Sequence, residues 1–256
     1  MKTTLILTIV SFLVLSGFAY AGTIDTPISH WTFDETSGTT VYDSADGHNG
    51  TIAGDPVWTT GEIDGCLDFD GSGDYVNFGD VDQFEFRDND FTISFWFKTE
   101  GAHDAESIIS KYDIYLGKQW LFQQTSDNKI NFATYYTETG GDGLVSTEGY
   151  INQWTHVTAV RDGSAKYLYI NGVFDSTGIC NGIVEGTTAP VLIGAISATA
   201  GTISYYQFFN GKIDDVRIYD YALSANEAYQ LYQIPEPATI CLLGLGALNL
   251  ICRKKY

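Results

Sequence analysis

Hydrophobic and polar residues alternate along most of this 256-residue chain in short runs. In Phe91 to Lys98 (FTISFWFK), aromatic and β-branched side chains recur at every second position. Successive side chains of a strand point to opposite faces, so this alternation predicts strands with one buried face. The segments with this pattern are 28–33, 91–98, 120–124, 129–135, 154–160, 166–170, 191–194 and 212–219.

Clusters of Gly, Asp, Asn and Ser separate these runs and have the composition of turns. Asn171-Gly172 predicts a two-residue hairpin turn. Ser224 followed by Glu227 forms a capping box and predicts one short helix near the end of the body. The pattern therefore predicts an all-β, two-sheet antiparallel sandwich in a single domain, residues 22–233, with one C-terminal helix.

The first residues have the pattern of an export signal. Met1-Lys2 is followed by an apolar run from Leu5 to Phe18 and by the small-residue sequence Ala19-Tyr20-Ala21. A basic start, an apolar stretch and small residues in this order predict a signal peptide over 1–21, cleaved by signal peptidase after Ala21. A retained membrane anchor is the alternative.

The last residues, 234–256, have a second transport pattern. Pro235-Glu236-Pro237 precedes an apolar stretch, Ala238 to Ile251, and the basic residues Arg253, Lys254 and Lys255. As a helix this stretch would rise about 21 Å, against roughly 30 Å for a bilayer core. We therefore expect a short transmembrane helix that makes a poor permanent span, with its basic end in the cytoplasm.

This tail resembles the PEP-CTERM sorting signal of Gram-negative bacteria, in which exosortases act near the Pro-Glu-Pro motif. The resemblance implies export, transient anchoring in the inner membrane through the tail alone, and delivery to the cell surface, outer membrane or extracellular matrix. Its three parts occur here in the family's order. An ordinary single-span tail anchor is the alternative.

The charge of the body limits its partners. Of 13 Lys and Arg, four lie in the two ends, and of 32 Asp and Glu only Glu236 does, which leaves a net charge of −22. So acidic a surface repels nucleic acid and anionic lipid. Divalent cations and neutral glycans suit it better. Two body cysteines, Cys66 and Cys180, could pair in an oxidising compartment, and the sequence leaves this open.

Several phrases resemble the laminin-G-like, concanavalin A-like jelly-roll domains of bacterial surface proteins. The resemblance extends in order from Ile28 to Tyr232 and implies the jelly-roll topology. The phrases are WTFDETSG (31–38), DS (43–44), HNGT (48–51), LDFDG (67–71), DYV (74–76), FTISFWFK (91–98), WTHV (154–157), YLYING (167–172) and GKIDDVRIY (211–219).

The same fold class includes glucan hydrolases, so we searched the sequence for the catalytic carboxylates that such enzymes need. Retaining glycosidases need two carboxyl groups about 5–5.5 Å apart, and laminarinase-like members carry them in Glu-x-Asp-x-x-Glu. The similar start here, Glu62-Ile63-Asp64, is followed by Gly65, Cys66 and Leu67 and has no second Glu. No nucleophile elbow or paired metal-ligand motif occurs. We therefore expect no catalytic residue; a polysaccharide hydrolase or lyase with a scattered site stays an alternative.

Calcium is the expected cofactor, in a structural role. Calcium takes six to eight oxygen ligands, and the first loop is rich in Asp, Glu and Asn while the last strand adds Asp214 and Asp215. Resemblance to calcium-binding jelly-roll domains implies that the first and last strands are neighbours. The predicted ligands are Asp34, Asp43, Asn49 and Asp214. The alternative is that the Asp and Asn residues only form turns, with Asp214 or Asp215 pairing with Arg217. A second cluster, Asp68, Asp70 and Asp74, is read as a hairpin turn.

Aromatic residues supply a candidate ligand surface. Adjacent tyrosines in a strand face opposite sides, so one residue of Tyr135-Tyr136 and one of Tyr205-Tyr206 should face outward. With Trp120 they could form a platform on which sugar rings stack. The predicted platform residues are Trp120, Tyr135 and Tyr205, beside a loop at 195–201. The predicted function is a non-catalytic module that binds a glycan or matrix polymer. A purely structural envelope protein is the further alternative.

Overall fold

A computed structural model describes residues 24–101, 104–136, 140–183, 186–199 and 203–233. Both predicted transport segments, including Ala21, Pro235, Glu236, Pro237 and the tail helix, lie outside these ranges. Within them, strands form two sheets and one α-helix follows the last strand. The all-β jelly-roll prediction is confirmed. No helix of the described ranges is long and apolar enough to cross a membrane.

Eighteen strands, a 3₁₀ turn at Asp82–Phe84 and helix α1, Ala225–Tyr232, make up the described fold. The strands are β1 Ser29–Trp31, β2 Thr40–Val41, β3 Gly50–Ala53, β4 Val57–Thr60, β5 Gly65–Asp70, β6 Tyr75–Gly79, β7 Phe91–Thr99, β8 Glu106–Asp113, β9 Gly117–Gln124, β10 Lys129–Tyr135, β11 Gly141–Gly149, β12 Thr155–Asp162, β13 Ala165–Ile170, β14 Val173–Ile179, β15 Val191–Ile193, β16 Ile196–Thr199, β17 Ile203–Tyr206 and β18 Asn210–Tyr219.

The strands form two sheets, here called sheet A and sheet B. Sheet A has the order β14-β13-β12-β7-β18-β5-β4, and β1 pairs with the second half of β18. Sheet B has the order β11-β10-β9-β8-β15-β6-β3-β2, and the β16–β17 hairpin joins β8 through one bridge. The first and last strands are therefore neighbours, as the resemblance implied.

The core lies between the two sheets and contains the alternate residues of the predicted strands. Phe91, Ile93, Phe95 and Phe97 of β7 are all fully buried there. Burial of apolar area at about 25 cal/mol per Å² is the main stabilising contribution in such a core. The two-residue period of the sequence thus reflects one face of sheet A packed on sheet B.

Helix α1 lies on the outer face of sheet A. The Ser224 hydroxyl accepts from the Glu227 N–H and the Glu227 carboxylate accepts from the Ser224 N–H, which confirms the predicted capping box. Ala228 and Leu231 are buried in a small apolar cluster with Val160, Tyr169 and Tyr219 of sheet A and with Leu223. The predicted Asn171-Gly172 hairpin connects β13 to β14, and both residues have positive φ, 51° and 72°, as a type I′ turn requires.

Two local predictions were wrong. Residues 196–199 form strand β16 instead of a loop, paired with β17. The turn after Asp70 does not close a hairpin, because β5 belongs to sheet A and β6 to sheet B. Asp74 stabilises this crossover by accepting the N–H groups of Asp55 and Asp70. Cys66 and Cys180 are buried free thiols.

Candidate functional site

Asp214 is the most unusual carboxylate of the described residues. It lies in β18 at an irregularity between Asp214 and Arg217, where Asp215 has a φ of 48°. One oxygen, Oδ2, accepts the backbone N–H groups of Glu62 and Ile63, each at 2.9 Å. The other oxygen, Oδ1, has no hydrogen-bond partner, although the side chain is fully buried.

The pKa of Asp214 is raised to about 8. Burial is the largest cause, and the negative charges of Asp215 and Asp34 add to it, against the two backbone hydrogen bonds. A carboxylate in this setting is stabilised by a proton or by a cation that supplies the missing positive charge. The structure therefore places Asp34 and Asp214 close enough for their charges to interact.

Two glycines allow the backbone to approach these acids. A Cβ at Gly61 would lie 2.5 Å from Asp214 Oδ2, and one at Gly65 would lie 2.7 Å from the Phe33 carbonyl oxygen. Either distance is shorter than real side-chain carbons show. The N–H of Gly65 donates to Asp34 Oδ1 at 2.9 Å. The turn at 61–65 thus joins the first loop to the last strand.

A surface cavity of about 580 Å³ lies at this edge, next to Asp34. Its lining includes Asp34, Glu35, Trp58, Thr59, Thr60 and Asp64. Glu35 accepts the Tyr42 N–H through Oε1, while its buried Oε2 has no partner. The Trp58 indole N–H donates to the Gly38 carbonyl at 3.2 Å, which fixes the ring at the cavity. We call this cavity, together with the buried Asp214, the acidic edge.

Asp43 and Asn49 serve a different purpose from the one predicted. Asp43 accepts four hydrogen bonds, from the N–H groups of His30, Ala45 and His48 and from the Ser29 hydroxyl. Asn49 Oδ1 accepts the Asp43 N–H at 2.8 Å. The backbone and hydroxyl hydrogen bonds lower the pKa of Asp43 although its burial opposes this. Both side chains are thereby committed to holding the turn at 43–49.

The four predicted calcium ligands are therefore divided. Asp34 and Asp214 lie together at the acidic edge, whereas Asp43 and Asn49 form a satisfied turn. Among the described residues, two groups of three acids have carboxylate oxygens within 4.8 Å of one another. One group is Asp55, Asp70 and Asp74, and the other is Asp80, Asp82 and Glu85. Neither triplet contains a predicted ligand, and the oxygens of Asp74 are used by the crossover turn.

The prediction for Trp120 as a platform residue was wrong. Trp120 is fully buried between the sheets, and its indole N–H donates to the Phe84 carbonyl at 3.1 Å. Its neighbour Leu121 is the residue that faces outward, in an apolar cluster with Ala133 and Ile196. A residue at this position of β9 cannot meet a ligand on the surface.

Tyr135 and Tyr205 lie on the outer side of sheet B, beside the β16–β17 hairpin. Tyr135 meets Tyr112 edge to face at 5.2 Å, in the cluster that contains Leu121 and Ile196. Tyr205, on β17, stacks on Tyr75 with ring centroids 4.1 Å apart. All four rings are partly exposed. Burial, together with a hydrogen bond between the Tyr75 and Tyr205 phenols, raises the pKa of Tyr75 to about 12.

Three aromatic residues at these surfaces, Tyr75, Tyr112 and Trp58, were missed by sequence reasoning. Trp58 lies in VWTT (57–60), a run of β-branched and aromatic residues directly after Gly54-Asp55-Pro56, and this strand signal could have been used. Tyr75 and Tyr112 carry no such signal, because their partners Tyr205 and Tyr135 are distant in sequence.

The segment that resembled the start of a glucanase motif is a turn. Glu62 and Asp64 lie between β4 and β5, and the backbone N–H groups of Glu62 and Ile63 donate to Asp214. Two strand histidines differ in their hydrogen bonding. His30 Nε2 contacts Asp215 Oδ1 at 2.7 Å, whereas both ring nitrogens of the fully buried His156 have no partner.

Comparison with protein families now adds to the geometry. A family model described as the concanavalin A-like lectin/glucanases superfamily matches residues 70–228, and the PEP-CTERM protein-sorting motif matches residues 233–255. The chain belongs to the concanavalin A-like lectin/glucanases superfamily. Its tail carries the sorting motif of an exported protein.

Individual relatives are distant or much longer. Adhesion G-protein coupled receptor V1 of Danio rerio is 30% identical over 159 residues, which are 57% of this chain and 2% of the receptor. The binding domain of Paraclostridial Mosquitocidal Protein 1 superposes with a TM-score of 0.65 at 16% identity, over 81% of this chain and 52% of that one.

A third similar structure is domain 4 of AbnA, a GH43 extracellular arabinanase from Geobacillus stearothermophilus, in complex with arabinotriose. Its TM-score is 0.61 at 20% identity, over 81% of this chain and 98% of that domain. At such identities the two structural matches show the fold alone. The chain spans about half of the toxin domain and a small part of the receptor.

Proposed function

We propose that this exported protein displays its jelly-roll domain as a non-catalytic module that binds a neutral glycan or matrix polymer. The observation that carries the proposal is the set of two tyrosine pairs, Tyr75–Tyr205 and Tyr112–Tyr135, on the outer side of sheet B. Partly exposed aromatic rings stack on the apolar faces of sugars, and the phenol groups offer hydrogen bonds.

The charge of the chain favours a neutral ligand over an anionic one. The formal net charge is −19, and a surface of this sign repels anionic polysaccharides. Domain 4 of AbnA is a domain of the same fold with a bound oligosaccharide. That complex supports a saccharide as the ligand class, and the identity of the sugar is open to a screen.

Binding of the purified protein to a panel of neutral and acidic polysaccharides tests this proposal. We expect retention of a neutral polymer without release of sugar, and about fivefold weaker binding for Tyr205→Ala or Tyr135→Ala, since one lost stacking contact is worth about 1 kcal/mol. Tyr229→Ala is the matched control, because Tyr229 is 48% exposed but lies on α1. Equal loss in the control, or no retention at all, would contradict the proposal. Sugar release would indicate a hydrolase or lyase.

We infer that exosortase processes the tail and that the domain reaches the cell surface, outer membrane or extracellular matrix after transient anchoring in the inner membrane. The sorting motif at 233–255 supports this. The mass of the protein isolated from its native host tests it. We expect a C-terminus near Pro235-Glu236-Pro237; an intact tail ending at Tyr256 would argue against processing.

We also propose a structural calcium ion at the acidic edge, held by Asp34 and Asp214 instead of the four residues first predicted. The support is the buried, unpartnered Asp214 Oδ1 beside a second carboxylate, with the Glu35 Oε2 also unpartnered. Hard oxygen ligands of this kind suit calcium, which would supply positive charge and join the first loop to the last strand. Thermal melts at pH 8 in EDTA and in millimolar calcium test the site: we expect a higher melting temperature with calcium, and coincident curves would discard it.

A further inference from the structure

The outer face of strands β9, β10 and β11 carries an uncharged strip that begins at Tyr135. Phe132 of β10 packs in the core, so its neighbours Asn131 and Ala133 point outward. Tyr135 follows them in the same alternation, and strand pairing places one residue of β9 and two of β11 on the same face. None of these residues carries a charge, although the formal net charge of the chain is −19. We call this set the edge strip: Gln123, Asn131, Ala133, Tyr135, Gly141 and Gly143.

Two glycines keep the strip low where β11 forms the edge of the described sheet B. A Cβ at Gly141 would lie 2.8 Å from Cδ1 of Tyr135, and one at Gly143 would lie 2.8 Å from Asn131 Oδ1. The ring and the amide therefore occupy the space that side chains on β11 would need. Glycine weakens a strand, and a glycine in a strand often marks the close approach of a ligand. Both glycines are exposed, so a ligand can reach the strip from the edge of the sheet.

One end of the edge strip is a tyrosine ring that its neighbours hold in place. Tyr112 meets the Tyr135 ring edge to face, with centroids 5.2 Å apart, and Lys118 Nζ lies 5.6 Å from the centroid of Tyr112. These contacts fix the orientation of the ring before a ligand arrives, which lowers the entropic cost of binding. Because Tyr135 is partly exposed, a sugar ring can stack on it.

The other end of the edge strip is a row of carboxamides across the strands. Asn131 lies opposite Gln123, and Gln123 Nε2 donates to Gln207 Oε1 at 2.7 Å. Gln207 has a φ of 53°, and its carbonyl accepts the Ser107 N–H at 2.8 Å, which fixes the backbone of this residue. All three carboxamide residues are partly exposed. Each carboxamide both donates and accepts hydrogen bonds, as the hydroxyl groups of a neutral sugar do.

The distance between the two ends sets the size of the ligand. Tyr135 and Asn131 are four residues apart in β10, which is about 14 Å at about 3.4 Å per residue. The floor between them contains Ala133 and Leu121, both buried, and Ile196 of the β16–β17 hairpin packs against these two residues. The hairpin bounds the strip on one side, and the sheet edge leaves the other side open. An open strip of this length suits several consecutive sugars of a linear chain better than a single sugar.

We propose that the edge strip holds an internal stretch of a linear neutral polysaccharide, with one sugar stacked on Tyr135 and a later sugar hydrogen-bonded to Asn131 and Gln123. This inference rests on the glycan-binding function proposed above, and it adds the direction of the polymer along β10 and the residues that select it. Glycine at position 143 admits the polymer. The uncharged lining favours hydroxyl groups over carboxylates, which the acidic chain repels.

Titration calorimetry of the full-length protein with ladders of arabino-, xylo-, manno- and cello-oligosaccharides, from monosaccharide to hexasaccharide, tests the strip. We expect the affinity to rise with each added sugar until the strip is filled and then to stay constant. Gly143→Val should weaken hexasaccharide binding about tenfold because it fills the floor, and Asn131→Ala about fivefold because one hydrogen bond is lost. Thr51→Ile is the matched control and should bind as the wild type does, since Thr51 is exposed in β3 near the opposite edge of sheet B.

Thermal melts separate lost binding from lost folding. Gly143 has no positive φ, and a Cβ there meets only the flexible end of Asn131, so we expect Gly143→Val to keep the wild-type melting temperature. Wild-type affinity in both Gly143→Val and Asn131→Ala would overturn the strip and leave glycan binding elsewhere on the domain intact. A monosaccharide bound as tightly as the hexasaccharide would overturn it as well. No binding of any ladder would contradict both this inference and the proposed function.

Discussion

Asp43 and Asp214 are both buried aspartates that join distant parts of the chain, but they are supported in opposite ways. Asp43 accepts four hydrogen bonds and its pKa is lowered. Asp214 accepts two, keeps an unpartnered oxygen near two other acids, and its pKa is raised to about 8. Desolvation is the largest single influence on the pKa of both residues; the number of hydrogen-bond donors and the neighbouring charges decide the direction of the shift.

The comparison distinguishes a carboxylate that is satisfied by hydrogen bonds from one that needs a proton or a cation. A carboxylate whose lone pairs are occupied by backbone N–H groups stabilises its turn without further help. A buried carboxylate with one oxygen that accepts no hydrogen bond needs a proton or a metal ion. Residue type and sequence neighbourhood are alike in the two cases, so composition alone could not separate them.

The largest effect should come from removing the satisfied carboxylate. Asp43→Ala leaves three backbone N–H groups and the Ser29 hydroxyl without their acceptor, and we expect a loss of about 3 kcal/mol in unfolding free energy. Urea denaturation measures this. Asp46→Ala, an exposed acid of the same loop, is the control; equal losses in the two variants would contradict the assigned role of Asp43.

The second effect concerns pH at the acidic edge. Because the pKa of Asp214 is higher in the folded chain, about 8, than the ordinary 3.8, the folded state holds a proton that the unfolded state releases. The stability that this proton contributes to the folded state is fully present below about pH 4 and is lost as the pH rises toward 8. In EDTA at pH 8, Asp214→Asn should therefore be more stable than the wild type by about 2 kcal/mol, and at pH 4 the difference should vanish.

Melts of Asp214→Asn and wild type from pH 4 to pH 8 measure this difference, and calcium should reduce it by stabilising the wild type alone. A difference that is constant with pH would show that Asp214 does not change its protonation in this range. Comparing the two proteins removes the contributions of the carboxylates with lowered pKa, such as Asp43 and Asp113, which act in the opposite direction.

The smallest effect should come from Asn49. Its exposed side chain supplies one hydrogen bond, to the Asp43 N–H. Asn49→Ala should therefore cost about 0.5–1 kcal/mol and leave any response to calcium unchanged. If calcium no longer raised the melting temperature of this variant, Asn49 would be a ligand after all and the division between the two regions would fail.

Much of the fold could be predicted because it depends on neighbours in sequence. The alternation in 91–98 placed one face of β7 in the core, Asn171-Gly172 fixed a hairpin, and Ser224 with Glu227 began α1. The candidate sites depended on more distant contacts. Tyr135 and Tyr205 were placed at a surface, but their partners Tyr112 and Tyr75 were not found, and Trp120 was assigned to the wrong face.

The sequence by itself determined the strand pattern, the acidic body and the sorting tail, since periodicity, charge and a contiguous motif are properties of nearby residues. Only the tertiary structure decided which acids are satisfied. The two donors that Asp214 receives are the backbone N–H groups of Glu62 and Ile63, more than 150 residues away in the sequence. Hydrogen bonds and desolvation are set by what folding brings within about 3 Å, and no spacing along the chain encodes that distance.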